Sequence, residues 1–315
     1  MTTVFVTGVS GQDGSYLVER LIDEGADVHG LVRTIADIGD VHQAGVILHV
    51  ADIADSDGVG RLVAEIAPDE IYNLAGISSV AQSWAEPVAS GRVSGVAAVG
   101  ILEAAWRLTQ TTGRQVRVVQ ASSAEIFGNP AVSPQDESTP VAPVNPYGAA
   151  KAYAHQMVGV YRSRGLHAVS AILYNHESPR RPPTFVTRKI TQGAARIARG
   201  EQSELRLGNL DARRDWGWAP DYVDALLRAA RHDTASDYVI ATGEPHSVRD
   251  FVRAAFRCAG IEEWEPYVTV DPAFVRPVDA VELAGDAGRA RRELGWLPSV
   301  DFGELVAAMV DADLR

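Results

Sequence analysis

Short apolar runs alternate with segments of helical spacing over the first 175 residues of the chain. The apolar runs predict buried strands at Thr3–Thr7, Ala26–Val32, Val46–Val50, Glu70–Leu74, Val116–Ala121 and Ala168–Tyr174. The spacings between them predict helices at Ser15–Glu24, Ser56–Ile66, Val88–Leu108 and Pro146–Ser163. Because strand and helix keep alternating, we expect an α/β fold whose doubly wound parallel sheet carries helices on both faces.

The pattern loosens after about residue 175, where arginine, proline and asparagine crowd together. Two later strands are predicted, at Tyr238–Ala241 and Tyr267–Val270. We therefore expect residues 1–175 to form a first domain and residues 176–315 mainly a smaller C-terminal lobe, with some segments returning to the first domain.

Charge and cysteine content exclude several classes of protein. The formal net charge is −12, which argues against a partner such as a nucleic acid or a membrane surface. The single cysteine, Cys258, allows no internal disulfide, and its helical spacing with Phe251 and Val252 predicts a core position. The N-terminus lacks a signal-peptide pattern, and we expect no apolar run near the ~20 residues that span a bilayer. We expect a cytoplasmic protein without a metal site.

The first predicted strand leads into a turn with glycines at Gly8, Gly11 and Gly14, and the turn opens a helix. An ordinary strand–helix turn is the alternative, but this context is typical of a dinucleotide site in a Rossmann-like fold. Glycine lets the backbone approach a pyrophosphate, and the helix N-terminus directs N–H groups at it. Gln12 and Asp13 lie inside the same turn and are candidate cofactor contacts.

The end of the second strand indicates which dinucleotide binds. Arg33 stands where an acidic residue would contact the ribose of NAD, so we expect NADP, whereas Asp37 and Asp40 keep NAD as the weaker alternative. Asp52 and Ile53 follow the third strand, where they would meet the adenine ring or begin a helix.

Four polar residues form the candidate catalytic group. Tyr147 and Lys151 share one helix face, and the lysine charge is expected to lower the phenol pKa so that tyrosine acts as a base. Ser123 and Glu125 follow the fifth strand, where alternation predicts that they face together. Hydride transfer does not need the Glu125 carboxylate, but removal of an α-proton followed by loss of a hydroxyl does; a helix-cap or solvated role is the alternative.

The chain resembles the GDP-mannose 4,6-dehydratases, which belong to the extended short-chain dehydrogenase/reductases. The segments that carry the resemblance are 7–17, 175–181, 184–190, 207–217, 240–249, 276–277 and 294–296. The resemblance implies that Tyr147 takes the C4 hydroxyl proton while hydride passes to NADP+, with Ser123 and Lys151 beside it. It implies that Glu125 takes the C5 proton and helps to expel the C6 hydroxyl as water.

The resemblance also implies ligand contacts and an assembly. Leu74, His176 and Arg181 would join the residues above at the cofactor. The nucleotide sugar, GDP-mannose or a similar compound, would contact Ser78, Asn175, Val186, Arg188, Lys189, Leu207, Gly208, Arg214 and Arg276. Charged guanidinium forks suit a diphosphate. Helices 88–108 and 146–163 would pair in a homodimer.

Several positions depart from the family pattern. Arg33 is followed by Thr34 and a short link in place of a second arginine and a long loop, which favours a dimer over a tetramer. Ser78 and Val281 lie in stretches that differ next to the sugar and the nucleoside. A related epimerase or 4-keto reductase, a dehydratase for another nucleotide hexose, and a catalytically silent NADP-binding regulatory protein remain the alternatives.

Overall fold

The computed structural model describes residues 1–37, 45–274, 280 and 282–315. Its strands in chain order are β1 (Thr3–Thr7), β2 (Asp27–Val32), β3 (Ile47–Val50), β4 (Glu70–Asn73), β5 (Arg117–Ala121), β6 (His167–Leu173), β7 (Asn175–Glu177), β8 (Leu205–Leu207), β9 (Arg213–Trp218), β10 (Asp237–Ile240), β11 (Pro245–Ser247), β12 (Val268–Val270) and β13 (Glu282–Leu283). Its α-helices are α1 (Gln12–Asp23), α2 (Ser56–Ile66), α3 (Val80–Ala85), α4 (Pro87–Ser90), α5 (Ala97–Thr112), α6 (Pro146–Ser163), α7 (Val186–Ala198), α8 (Ala219–Arg231), α9 (Val248–Cys258) and α10 (Phe302–Leu314).

Seven parallel strands form the central sheet, in the order β10-β6-β5-β4-β1-β2-β3. The chain builds outward from β1 to β3 and then crosses to β4 on the other side of β1. This reversal opens a crevice between the carboxyl ends of β1 and β4, where open α/β sheets bind ligands. The predicted doubly wound fold is confirmed, and the predicted strand ends differ from the observed ones by one residue.

The inner strands are buried along their length because helices cover both faces of the sheet. Every residue of β6 is buried, and so is every residue of β4. The predicted strand near Tyr238 is β10, which lies at the edge of this sheet beside β6. A segment from the second half of the chain therefore completes the central sheet.

Smaller sheets and a separate apolar cluster follow residue 175. β9 lies between β11 and β13 and also pairs with β7, and β8 pairs with β12. An apolar cluster runs from Ile190 to Val310 and includes Trp216, Phe251 and Met309. The division into a domain at 1–175 and a lobe at 176–315 stays a prediction.

Two sequence-based expectations are wrong. Cys258 is exposed, because it is the last residue of α9 and does not lie on the buried face of that helix. A continuous helix at Pro87–Thr112 joins α4 and α5 through a π-helical segment, and by length and composition it could cross a membrane. Half of the most apolar stretch of this helix is buried inside the protein. Core helices can have the same length and composition, so the helix is weak evidence for a membrane span.

Candidate active site

The glycine turn lies against the end of β4. Gly8 has φ +71°, and a Cβ atom there would lie 2.8 Å from the backbone nitrogen of Ala75. A Cβ on Gly11 would lie 3.2 Å from the Gly8 carbonyl oxygen, and one on Gly14 would overlap that oxygen. The turn therefore needs glycine at Gly8 and Gly14 and leaves little room for a side chain at Gly11, and it opens α1 toward the crevice. This geometry fits a dinucleotide pyrophosphate.

Polar contacts join the glycine turn to the segment after β6. Gln12 donates to the His176 carbonyl at 3.1 Å and accepts from Ser178 at 2.9 Å. Asp13 and the His176 ring are 2.8 Å apart. Burial alone would raise the pKa of Asp13 and lower that of His176, but their mutual attraction outweighs it in both groups. The pKa of Asp13 is therefore lowered and that of His176 raised, which favours an ion pair.

The Ser123 side chain lies near the Tyr147 phenol and lowers its pKa, as the candidate catalytic group requires. Burial raises the pKa of Tyr147 to about 12, the Ser123 side chain opposes this, and the negative charge of Glu125 adds to it. The positive charge of Arg181 lowers the Tyr147 pKa. Glu125, Arg181 and Ser123 therefore all act on the pKa of one phenol.

The contacts and the pKa of Lys151 differ from those that its spacing with Tyr147 predicts. Its ammonium lies 5.9 Å from the centre of the Tyr147 ring and donates to the Ala121 carbonyl at 2.8 Å. Burial lowers the Lys151 pKa to about 8, against the attraction of Asp13. The pKa of Tyr147 is raised rather than lowered, because burial dominates, and the cation that opposes this rise is Arg181.

Glu125 lies in a turn rather than in a strand. β5 ends at Ala121, and Ser123 caps a 3-10 helix at Ala124–Phe127, accepting from the Glu125 N–H at 3.2 Å. Strand alternation was therefore the wrong reason for the pairing of Ser123 and Glu125, although both groups shift the pKa of Tyr147. The carboxylate accepts from the Asn145 amide at 2.7 Å.

Sequence reasoning missed the residues that support this group. Ser83 accepts from the Tyr147 N–H at 3.1 Å, and Asn145 caps the helix that carries Tyr147. A buried chain of hydrogen bonds links Thr7, Asn73 and Gln120, and ends on the Ala121 carbonyl that also accepts from Lys151. The Asn-Pro pair at 145–146 signals a helix start, but its bond to Glu125 has no sequence signal.

The predicted cofactor contacts after β2, β3 and β4 lie at the same sheet edge. Arg33 is exposed directly after β2, whereas Asp37 accepts from the Thr34 N–H at 2.8 Å. Asp52 is exposed and accepts from the Ala54 N–H at 2.9 Å; Ile53 is buried in the core. Leu74 donates from its backbone to Thr7 at 3.3 Å. Asp40 lies outside the described residues.

Most predicted substrate contacts cluster around α7 and β8. Lys189 is 3.7 Å from the centre of the Phe274 ring and lines an open cavity of about 430 Å³ with Gly193 and Leu205. The Phe274 carbonyl would lie 2.6 Å from a Cβ on Gly208. The structure places Val186 at the first turn of α7 and Leu207 at the end of β8. None of the four catalytic candidates lines this cavity.

The predicted diphosphate arginines have internal partners in this structure. Arg188 forms an ion pair with Asp313 of α10. Arg214 is buried and donates to the carbonyls of Arg213 at 2.7 Å and Ala280 at 2.9 Å. Arg181 lies 3.1 Å from the buried Glu177 carboxylate, whose pKa burial raises. Their substrate and cofactor roles stay predictions.

The remaining predicted positions differ in exposure or lie outside the described residues. Asn175 is half-buried in β7 and Ser78 is exposed after β4. Arg276 and Val281 lie outside the described residues. Among residues 1–37, 45–274, 280 and 282–315, no group of three or more histidine, cysteine or acidic residues could hold a metal ion. The predicted absence of a metal site stays a prediction.

Comparison with known proteins decides between the nucleotide-sugar enzymes. The sequence profile of the family described as GDP-mannose 4,6 dehydratase matches residues 5–309. The chain belongs to the GDP-mannose 4,6-dehydratase family. It is 44% identical to GDP-mannose 4,6 dehydratase 2 of Arabidopsis thaliana, over 98% of this chain and 86% of the relative. It is 41% identical to the human GDP-mannose 4,6 dehydratase, over 98% of this chain and 91% of the relative.

Solved structures agree with the fold. A UDP-glucose 4-epimerase of Thermus thermophilus in complex with NAD superposes with a TM-score of 0.84 at 28% identity, covering 99% of this chain and 98% of that one. A Thermotoga maritima UDP-glucose 4-epimerase gives a TM-score of 0.86 at 24% identity, covering 98% of both chains. The crevice of this chain is therefore that of a nicotinamide dinucleotide-binding fold.

Proposed function

We propose that this enzyme converts GDP-D-mannose to GDP-4-keto-6-deoxy-D-mannose and water, with NADP as its cofactor. The observation that carries the proposal is that Ser123 and Glu125 both lie near enough to the Tyr147 phenol to shift its pKa. These groups lie where β5 ends, at the crevice that the glycine turn borders. An epimerase or a reductase needs the Ser-Tyr-Lys group but has no use for the carboxylate.

Oxidation at C4 depends on Tyr147. Its phenol would accept the O4 proton of the sugar, while a bound nicotinamide would supply the acceptor and later the donor of one hydride. Burial and Glu125 oppose a phenolate, whereas Ser123 and Arg181 favour it. With a pKa of about 8, Lys151 is mostly protonated at neutral pH and suits a ribose hydroxyl or another acceptor in the crevice.

Water loss depends on Glu125. A C4 ketone acidifies the C5–H bond, and the Glu125 carboxylate would accept that proton. The same proton, passed to the C6 hydroxyl, would make it leave as water and form a C5=C6 double bond. Return of the hydride to C6, and of a proton to C5 that balances the O4 proton accepted by Tyr147, completes the product. The overall reaction consumes no cofactor, since one hydride is taken from C4 and returned at C6.

We propose NADP over NAD because Arg33 stands exposed at the end of β2, where a guanidinium would pair with the 2′-phosphate. Asp37, the acidic alternative in the described residues, is occupied by two hydrogen bonds from Thr34. Its side chain is therefore a poor candidate for the ribose of NAD.

We also propose a homodimer that pairs the helix Pro87–Thr112 and α6. Both helices expose large apolar side chains, namely Val88, Val96, Tyr153 and Val160, with exposed fractions from 45% to 75%. Pairing four such helices would remove these side chains from water.

The proposed activity is tested by supplying GDP-mannose, UDP-glucose or dTDP-glucose to the purified protein with NADP+ or NAD+. We expect a 4-keto product that has lost one water from GDP-mannose, with NADP+ preferred. Interconversion of hexoses without water loss would indicate an epimerase, and reduction of a supplied 4-keto sugar would indicate a reductase. Cofactor binding without turnover of any sugar would indicate the silent regulatory protein.

A further inference from the structure

Asn145 makes two hydrogen bonds that join the helix of Tyr147 to Glu125. Its side-chain oxygen accepts from the Gly148 N–H at 2.8 Å and caps α6. Its amide nitrogen donates to the Glu125 carboxylate at 2.7 Å. The residue is 6% exposed, so both bonds are sheltered from competition with water. One side chain therefore fixes the start of α6 and the orientation of the carboxylate.

The backbone around this junction is equally constrained. A Cβ on Gly148 would lie 2.5 Å from the Glu125 carbonyl oxygen, so α6 packs directly on the turn that carries Glu125. The Tyr147 N–H is held by Ser83. Within residues 1–37, 45–274, 280 and 282–315, the Glu125 carboxylate accepts one side-chain hydrogen bond, from Asn145. The carboxylate has one oxygen anchored and the other left for a proton.

We propose that Asn145 is a positioning residue for Glu125, holding its carboxylate toward the sugar carbon next to the C4 ketone. This inference rests on the proposed dehydratase function. A glutamate has three rotatable side-chain bonds, and an anchored Oε2 removes most of that freedom while Oε1 stays available as a base. Loss of the anchor should slow removal of the C5 proton and leave the earlier oxidation at C4 almost unchanged.

Two substitutions separate the anchor from the helix cap. In Asn145→Ser the hydroxyl still caps α6 but the amide donor is lost, and in Asn145→Asp the cap is kept while a second carboxylate replaces the donor. Hydrogen bonds to charged groups are strong enough that we expect elimination to slow by about ten- to a hundred-fold in either variant. Asp301→Ala, which removes the cap of α10 away from the site, is the control for cap loss alone.

The readout is the absorbance of reduced nicotinamide after mixing enzyme, NADP+ and GDP-mannose in single turnover, together with release of water-depleted product. We expect reduced nicotinamide to accumulate in both Asn145 variants because C4 is oxidised faster than water leaves. The wild type and Asp301→Ala should show little accumulation. If Asn145→Ser is too unstable to assay, Asn145→Asp provides the same comparison.

Elimination at the wild-type rate in a folded Asn145 variant would overturn the positioning role. So would an equal slowing of C4 oxidation and elimination, since that is the effect of general disorder at the site. If the wild-type protein itself neither reduces the cofactor nor forms product with GDP-mannose, the proposed function fails first, and that result is distinct from either outcome above.

Discussion

Replacing Gly8 by alanine tests the geometry of the cofactor crevice. Two costs are expected from the structure. The residue has φ +71°, and a left-handed conformation costs an L-residue about 1–2 kcal/mol. The new Cβ would also lie 2.8 Å from the Ala75 nitrogen and 3.1 Å from its Cα. Overpacking of a close contact costs about 1–3 kcal/mol, so the total is about 2–5 kcal/mol.

Gly25 provides a matched control for this substitution. It has φ +76°, but no atom lies within 4 Å of the Cβ that alanine would add. Gly25→Ala should therefore cost only the conformational part, about 1–2 kcal/mol. The difference between the two variants isolates the packing of the glycine turn on the end of β4.

Urea unfolding monitored by circular dichroism gives both free energies, and titration with NADP+ gives cofactor affinity. We expect Gly8→Ala to lose more stability than Gly25→Ala and to bind NADP+ at least ten-fold more weakly, since a shifted turn misplaces the N–H groups for the pyrophosphate. Equal losses of stability in the two variants, or normal cofactor binding by Gly8→Ala, would refute the reasoning.

Three further substitutions have measurable outcomes. Burial lowers the Lys151 pKa from 10.5 to about 8, so holding the lysine charged in the folded protein costs about 3 kcal/mol. Lys151→Met should therefore be inactive, yet more stable in urea at pH 7 by about 1–3 kcal/mol. Wild-type stability rises between pH 8 and 10.5 as the folded lysine loses its proton, so the greater stability of the variant should fade over that range. A variant less stable than the wild type at pH 7 would contradict the burial argument. Arg33→Ala should weaken NADP+ binding by about ten- to a hundred-fold in calorimetry and NAD+ binding little, and equal losses would remove the phosphate role. Val96→Arg should convert the dimer to a monomer in analytical ultracentrifugation, whereas an unchanged mass would exclude the helix pairing.

Local features of the site were predictable because each follows from a short stretch of chain. The spacing of Gly8, Gly11 and Gly14 between a strand and a helix predicts the cradle that the structure contains. The spacing of Tyr147 and Lys151 predicts a shared helix face. In each case the relevant geometry is fixed by neighbouring residues, so the pattern is sufficient.

Long-range pairing was not predictable in the same way. Arg188 pairs with Asp313, which is 125 residues away in the chain, and Arg214 donates to the carbonyl of Ala280. Likewise, helical periodicity gives the face on which Lys151 lies but not its burial or its bond to the Ala121 carbonyl. A charge in the sequence shows what a side chain can bind, and only the packed fold determines what it does bind.

A single-turnover experiment with Glu125→Gln tests the central assignment most directly, namely that Tyr147 and Glu125 act on one hexose beside the nicotinamide. Enzyme, NADP+ and GDP-mannose are mixed, and reduced nicotinamide and product are followed in the same sample. The account predicts that the variant reduces about one equivalent of cofactor and releases no water-depleted sugar. Formation of the 4-keto-6-deoxy product at the wild-type rate would contradict it.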